Sequence, residues 1–263
     1  MIAGLPMYDW DEVAGDVDAL WRAIRNEARA LDVELPDTLT RTDQLVALWR
    51  DPSMIVGQVC SLNPVRDGLG ETEVLGTIVY DPPPDLPQPE PGSYYSVLVC
   101  RADDPRRAWI GNGTAEESVL AFDGAVVAAN GTDSQSGYWS LGHFVRELVV
   151  DRPLFGSVVF TGAHRDSVRA VTRGDVDLAA IDVHSWRLAL DHEPEAAARL
   201  AVIGTTAPTP GVVNVVAWEL AGHRPALNDA IAAAVDGIVG TDVGARLHVS
   251  GYRVRRLEEF QVV

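Results

Sequence analysis

The chain has 263 residues, 47% of them hydrophobic, with 38 acidic against 21 basic side chains and a formal net charge of −17. Apolar and aromatic material on this scale fills one large domain or two compact ones, which excludes a disordered chain. All of the permanent positive charge is arginine, and so acidic a balance excludes nucleic acid and anionic membrane surfaces as partners, because both are captured by basic patches. Cys60 and Cys100 sit in apolar runs without metal-ligand spacing and read as buried thiols. No metal or cofactor is expected. The opening Met1 to Tyr8 lacks the basic and apolar regions of a signal peptide. As it stands the chain therefore reads as cytoplasmic, or as periplasmic if it is a trimmed mature form, and the compartment stays open. No run approaches the roughly 20 apolar residues of a membrane span, so no direct membrane insertion is expected.

Ile2 to Met7 predicts a first strand, and Asp9 to Leu31 a helix with Val13, Val17, Leu20, Trp21, Ile24 and Ala28 on one face. Asp9 or Asp11 is expected to cap that helix. A shorter helix through Leu45, Leu48 and Trp49 ends at Asp51-Pro52, and Met54 to Cys60 is a buried strand. After the strand around Thr77 to Tyr80, the run from Asp81 to Gly92 is too rich in proline for sheet or helix and reads as an exposed loop. Strands follow at Tyr95 to Cys100, Val126 to Ala129, Ser157 to Thr161, Leu178 to Asp182, Ala201 to Gly204 and Val212 to Ala217. Between them lie helices near Gly137 to Val149, His164 to Arg173, His184 to His192 and Glu195 to Leu200, and a last helix spans Pro225 to Val239. Trp21, Trp49 and Trp186 fall on apolar faces and are assigned to packing.

Alternation of strand and helix predicts an α/β fold, with mixed, mainly parallel sheets and helices on both faces. The segment from residue 96 to 204 is self-contained and is expected as an inserted second lobe. Residues 1–95 and 205–263 are expected to form a discontinuous first lobe. The crossings fall at Tyr95 to Cys100 and Leu200 to Thr205, with a ligand cleft between lobes that close by hinge motion.

The sharpest chemical signal is Asn130-Gly-Thr-Asp-Ser-Gln-Ser-Gly-Tyr138, between a strand and a helix. Ser134 and Ser136 offer hydroxyl donors, and Gln135, Ser136 and Gly137 offer first-turn amides, which together suit a tetrahedral oxyanion. Ordinary helix capping by Asp133 or Ser134 accounts for the same residues equally well. There is no Gly-Lys-Ser/Thr, so this is not a nucleotide P-loop. Thr161-Gly-Ala-His164 is a second junction of strand and helix, where His164 either donates to a ligand or caps its own helix. Tyr94 and Tyr95 open the first crossing, and one of the pair is expected to face the core. Asp182 ends a strand, and either meets a protonated ligand oxygen or caps the helix near His184. Tyr8, just past the first strand, is a candidate from the first lobe.

Gly92-Ser-Tyr-Tyr-Ser-Val-Leu-Val, Arg101-Ala-Asp-Asp-Pro105, the turn from Asn130 to Gly137, Gly162-Ala-His164 and Gly174 to Asp182 follow one another in this order. In that order they resemble the phosphate/phosphite/phosphonate-binding proteins of ABC transporters, of type II periplasmic-binding fold. The resemblance covers roughly residues 92–182. It implies a solute-binding protein for a small anionic ligand, with Ser134, Gln135 and Ser136 on the phosphorus oxyanion and Tyr94 and His164 adding donors. An ABC-transporter permease is the partner it implies. Where relatives that take aminoalkylphosphonates carry an acid after a Pro-Gly, this chain has Val212, which favours phosphate, phosphite or methylphosphonate over a zwitterion. Gln44 likewise stands where an aromatic residue is expected. The alternative is a cytoplasmic enzyme on the same scaffold, a lyase acting on a small carboxylate as in menaquinone biosynthesis. There Ser134 and Ser136 would grip the carboxylate, and His164 or Asp182 would serve as base. A sensor that reports occupancy through the proline-rich loop is a third reading.

Overall fold

A computed structural model describes residues 1–62, 72–106 and 114–260. The chain divides into two compact units, one of Met1–Ser93 with the chain from Pro210 onward, the other of Tyr94–Thr209.

In the first unit, strands β1 (Ile2–Gly4), β2 (Met54–Val59), β3 (Thr72–Val74) and β12 (Val213–Ala217) form a sheet ordered β1-β2-β12-β3. β1 and β2 are parallel, while β12 runs antiparallel to both of its neighbours. A two-stranded sheet pairs β4 (Gly76–Tyr80) with β13 (Val249–Val254). Helix α1 (Ala14–Ala30) buries Val17, Leu20, Trp21, Ile24 and Ala28, the stripe its spacing predicts. The expected aspartate cap is absent, because the helix starts five residues after Asp9 with Val13 at the N-cap and no side-chain cap bond. Asp9 instead takes Arg41, whose Nε donates to Oδ2 at 2.7 Å. The pairing reaches across 32 residues, further than any capping rule reads.

In the second unit, β6 (Ser96–Arg101), β7 (Val126–Ala129), β8 (Ser157–Phe160), β9 (Leu178–Asp182) and β10 (Leu200–Thr205) form a five-stranded sheet ordered β10-β6-β9-β7-β8. β7 is parallel to β8 and β9, because a helix carries the chain back before each new strand. β6 is antiparallel to β9 and to β10. The sheets are thus more antiparallel than alternation of elements alone suggests.

Side chains alternate across the sheet. Leu98, Cys100, Val127, Leu178 and Ala180 pack on one face with Val119 of α3 (Ala115–Leu120), Leu141 of α4 (Ser140–Leu148) and Phe122. The helix α5 (His164–Arg173) packs against β6, β7 and β9 without entering that cluster, and so covers the opposite face. Each large apolar side chain buried in this way contributes about 1.5–3 kcal/mol. β8 is one of the two edge strands, and Val158, Val159 and Phe160 remain exposed on it. α3 was not expected from apolar spacing, although its capping box of Thr114 and Glu117 is written in the chain.

Candidate anion-binding site

Three junctions of strand and helix leave the same end of the parallel strands in the second unit, after β7, β8 and β9. The carboxyl ends of parallel strands are where open α/β sheets place ligand sites.

The first junction holds the serine turn. Ser134 is extended (φ −84°, ψ 120°), and its Oγ accepts the Gly137 amide at 2.9 Å. The chain then makes a turn of π-helix over Gln135–Trp139 before α4 begins. Trp139 N–H reaches back five residues to the Ser134 carbonyl at 3.1 Å. Such wide turns recur at functional sites, since they displace backbone groups from the regular ladder. Gln135, Ser134 and Ser136 are buried, with 3%, 6% and 6% of their surface exposed. Gly137 leaves room for its neighbours here: a Cβ would displace Oδ1 of Asn130 and come within 3.1 Å of Ser134 Oγ.

At the second junction, His164 opens α5 behind Ala163, which makes no side-chain cap bond. Its Nε2 lies 2.8 Å from Ser136 Oγ, so the structure joins two residues that sequence analysis selected 28 positions apart. The ring is packed closely enough that burial pushes its pKa down to about 4, with a hydrogen bond to the Ala180 carbonyl opposing that shift. His164 is therefore neutral at physiological pH. Nδ1 lies 3.5 Å from the Asp182 amide, the limit of a bond in which it accepts. Accepting from the Asp182 amide at Nδ1 leaves the ring proton on Nε2, while the bond to the Ala180 carbonyl needs a protonated ring nitrogen.

The third junction carries a carboxylate cap. Asp182 Oδ1 accepts from the His184 and Ser185 amides, both at 2.8 Å, at the start of α6 (Val183–His192). Of the two roles weighed for this carboxylate, capping is the one its contacts describe. Tyr94 and Tyr95 are both buried, 6% and 2% exposed, so each of the pair is enclosed. Tyr8 lies in the first unit, buried, with its ring edge-on to Tyr80 at 4.9 Å between centroids. Trp21, Trp49 and Trp186 are all buried, as packing residues are.

Sequence reasoning did not select Ser96 or Ser140. Both hydroxyls donate to the Ser136 carbonyl, each at 2.6 Å. Ser140 lies four residues after Ser136, a spacing at which a helical serine commonly bonds back, so it carried a legible signal. Ser96 lies 40 residues away and carried none. Among the described residues no group of three or more His, Cys, Asp or Glu could hold a metal ion, and no helix is long and apolar enough to cross a membrane.

This architecture, with one unit built from a chain that leaves and returns to the other, is the α/β fold of the type II periplasmic-binding proteins. PhnD1 of Prochlorococcus marinus in complex with methylphosphonate superposes with a TM-score of 0.72 at 14% identity, over 99% of this chain and 94% of that one. A binding-protein component of an ABC phosphonate transporter from Pseudomonas aeruginosa gives 0.66 at 15% identity, over 99% and 82%. The GluR0 ligand-binding core from Nostoc punctiforme, in complex with glutamate, gives 0.57 at 12%, over 94% and 95%. At such identities these likenesses establish the fold alone. No curated protein matches the chain in sequence. The family model of the phosphonate periplasmic substrate-binding proteins of ABC transporters matches residues 78–254. The chain belongs to that family.

Proposed function

We propose that the protein binds a small phosphorus oxyanion, namely phosphate, phosphite or a simple phosphonate such as methylphosphonate, and hands it unchanged to an ABC-transporter permease. The observation that carries this reading is the buried, uncharged donor set at the serine turn, backed by a neutral His164 on Ser136 Oγ. Ser134 Oγ already accepts the Gly137 amide, so its own proton is directed to the ligand. The 2.8 Å bond between His164 Nε2 and Ser136 Oγ runs either way with the tautomer: from Nε2–H it leaves the hydroxyl proton for the anion, and with the proton on Nδ1 the hydroxyl donates to the ring instead. The amide of Ser136 lies in a first turn, where helical geometry supplies no carbonyl for it to meet.

Hydrogen bonds to an ionised ligand contribute about 1.5–3 kcal/mol each, and the helix terminus adds about 0.3–1 kcal/mol. A handful of neutral donors therefore binds an anion despite the net charge of −17. The Tyr94 phenol is a further donor in this reading. This reading draws no donor from Asp182, whose Oδ1 caps its helix, or from Tyr8, whose ring packs on Tyr80. Val212, buried at the position where an amine-recognising relative would carry an acid, favours a ligand without an amine.

Calorimetric titration of ligand-stripped protein with phosphate, phosphite and methylphosphonate tests the reading. Saturable binding of at least one is expected, weakened about tenfold or more by Ser136→Ala. Silence from the wild-type protein across all three anions removes the proposal.

A further inference from the structure

The serine turn is held from behind by groups that do not reach the ligand side. Ser96, 1% exposed at the start of β6, donates from Oγ to the Ser136 carbonyl at 2.6 Å, and Ser140 donates to the same oxygen at the same distance. Ser96 is itself pinned by its main chain. Its N–H donates to Thr206 Oγ1 at 3.0 Å, and its carbonyl accepts the Thr206 amide at 2.9 Å. The carbonyl of Ser136 and the N–H of Gly137 belong to one planar, trans peptide unit and point in opposite directions. With the carbonyl drawn toward Ser96 and Ser140, the N–H is aimed at Ser134 Oγ, 2.9 Å away.

We infer that Ser96 and Ser140 are positioning residues for anion recognition, acting through the Ser136–Gly137 peptide on the Ser134 hydroxyl. The inference rests on the reading of the serine turn as the anion site. Two hydroxyls on one carbonyl polarise its amide, and the amide becomes a stronger donor to Ser134 Oγ. That oxygen, relieved of electron density, releases its own proton more readily toward an anion. Chains of hydrogen bonds strengthen one another in this way at low local dielectric. The same two bonds carry a geometric effect. A peptide free to turn over would present the Ser136 carbonyl to the ligand, an acceptor facing an acceptor. The buried serine pair keeps that oxygen on the far side. Thr206 fixes Ser96 in turn, so this arm of the clamp is built from β6 and the residue after β10 rather than from the turn itself.

The test compares wild type with Ser96→Ala, Ser140→Ala and Ser140→Thr. Titration with methylphosphonate, phosphite and phosphate is paired with NMR of the Ser136 carbonyl carbon and the Gly137 amide proton in ligand-free protein. Each alanine variant is expected to weaken binding about tenfold, the worth of one buried hydrogen bond. Both signals should move upfield in the free protein, as bonds to the carbonyl and from the amide weaken. Ser140→Thr, which keeps a hydroxyl four residues after the carbonyl, should restore affinity and shifts. A packing defect alone would lower the melting temperature without moving these two signals, and that result overturns the inference. If wild type binds and both alanine variants match its affinity, the inference falls and the reading of the turn stands. If wild type takes none of the three anions, the reading falls and the inference with it. Should Ser96→Ala fail to fold, Ser140→Ala probes the same carbonyl from the helix side and decides alone.

Discussion

Ser134 and Asp182 occupy equivalent places, each the last extended residue before a helix and each accepting backbone amides from the turn that follows. Asp182 meets two amides, at 2.8 Å, with one carboxylate oxygen. Ser134 meets one, with a hydroxyl that keeps a proton to give. A carboxylate cap neutralises the helix terminus and turns away other anions, whereas a hydroxyl cap leaves the terminus attractive to them. Cap chemistry, more than the presence of a helix start, therefore decides which junction can hold an oxyanion.

Exchanging the caps gives the largest expected effect. Ser134→Asp retains a good N-cap, so the melting temperature should hold, while a fixed negative charge at the anion position should weaken binding about 100-fold or more, roughly 3 kcal/mol. Calorimetry with a parallel thermal melt measures both. Unchanged affinity would show that the anion binds elsewhere.

The next effect lies in acid. The His164 pKa falls from 6.5 in the unfolded chain to about 4 in the fold, so between those values the unfolded state binds more protons. Stability is then complete above pH 6.5 and is lost as the pH drops toward 4. The loss is on the order of 2–3 kcal/mol. Asp104, Asp177, Glu193 and Glu259, whose carboxyls are held below their ordinary range, add their losses only further down. Urea unfolding at pH 7 and pH 5 should give a smaller difference for His164→Gln than for wild type. Equal differences would place His164 among ordinary exposed histidines.

Gly137→Ala should lower affinity by about 2 kcal/mol, since the new methyl meets Asn130 and crowds Ser134 Oγ. A variant that binds like wild type would mean the turn relaxes without harm. The smallest binding effect belongs to the other junction. Asp182→Ala should cost about 1 kcal/mol of stability through the lost cap, with affinity within about twofold of wild type. A large affinity loss at unchanged stability would return Asp182 to the ligand.

Much of the second unit was legible because its signals are local. The bounds of α5 follow from the His164 junction and from Gly174, left-handed at φ 79° after the last turn. The serine turn was visible because small hydroxyl residues and glycines between a strand and a helix mark a cap, and Ser134 is one. The Asp9 cap misled, since the same carboxylate found an arginine from a distant segment. The relative direction of β6 and β9 was not legible either, because apolar runs carry no sign of polarity.

Local pattern in the chain was enough to give the α/β class, the order of its main elements and the helix faces that pack, and it nominated a segment whose donors would suit an oxyanion. These are matters of a few adjacent residues, where periodicity, capping and turn chemistry act. Tertiary contacts alone put His164 on Ser136, set Ser96 and Ser140 on the Ser136 carbonyl, and show Asp182 Oδ1 capping the helix that follows it. Such pairs are set by strand order and by burial, which bring distant residues within hydrogen-bonding reach and leave no mark at either position.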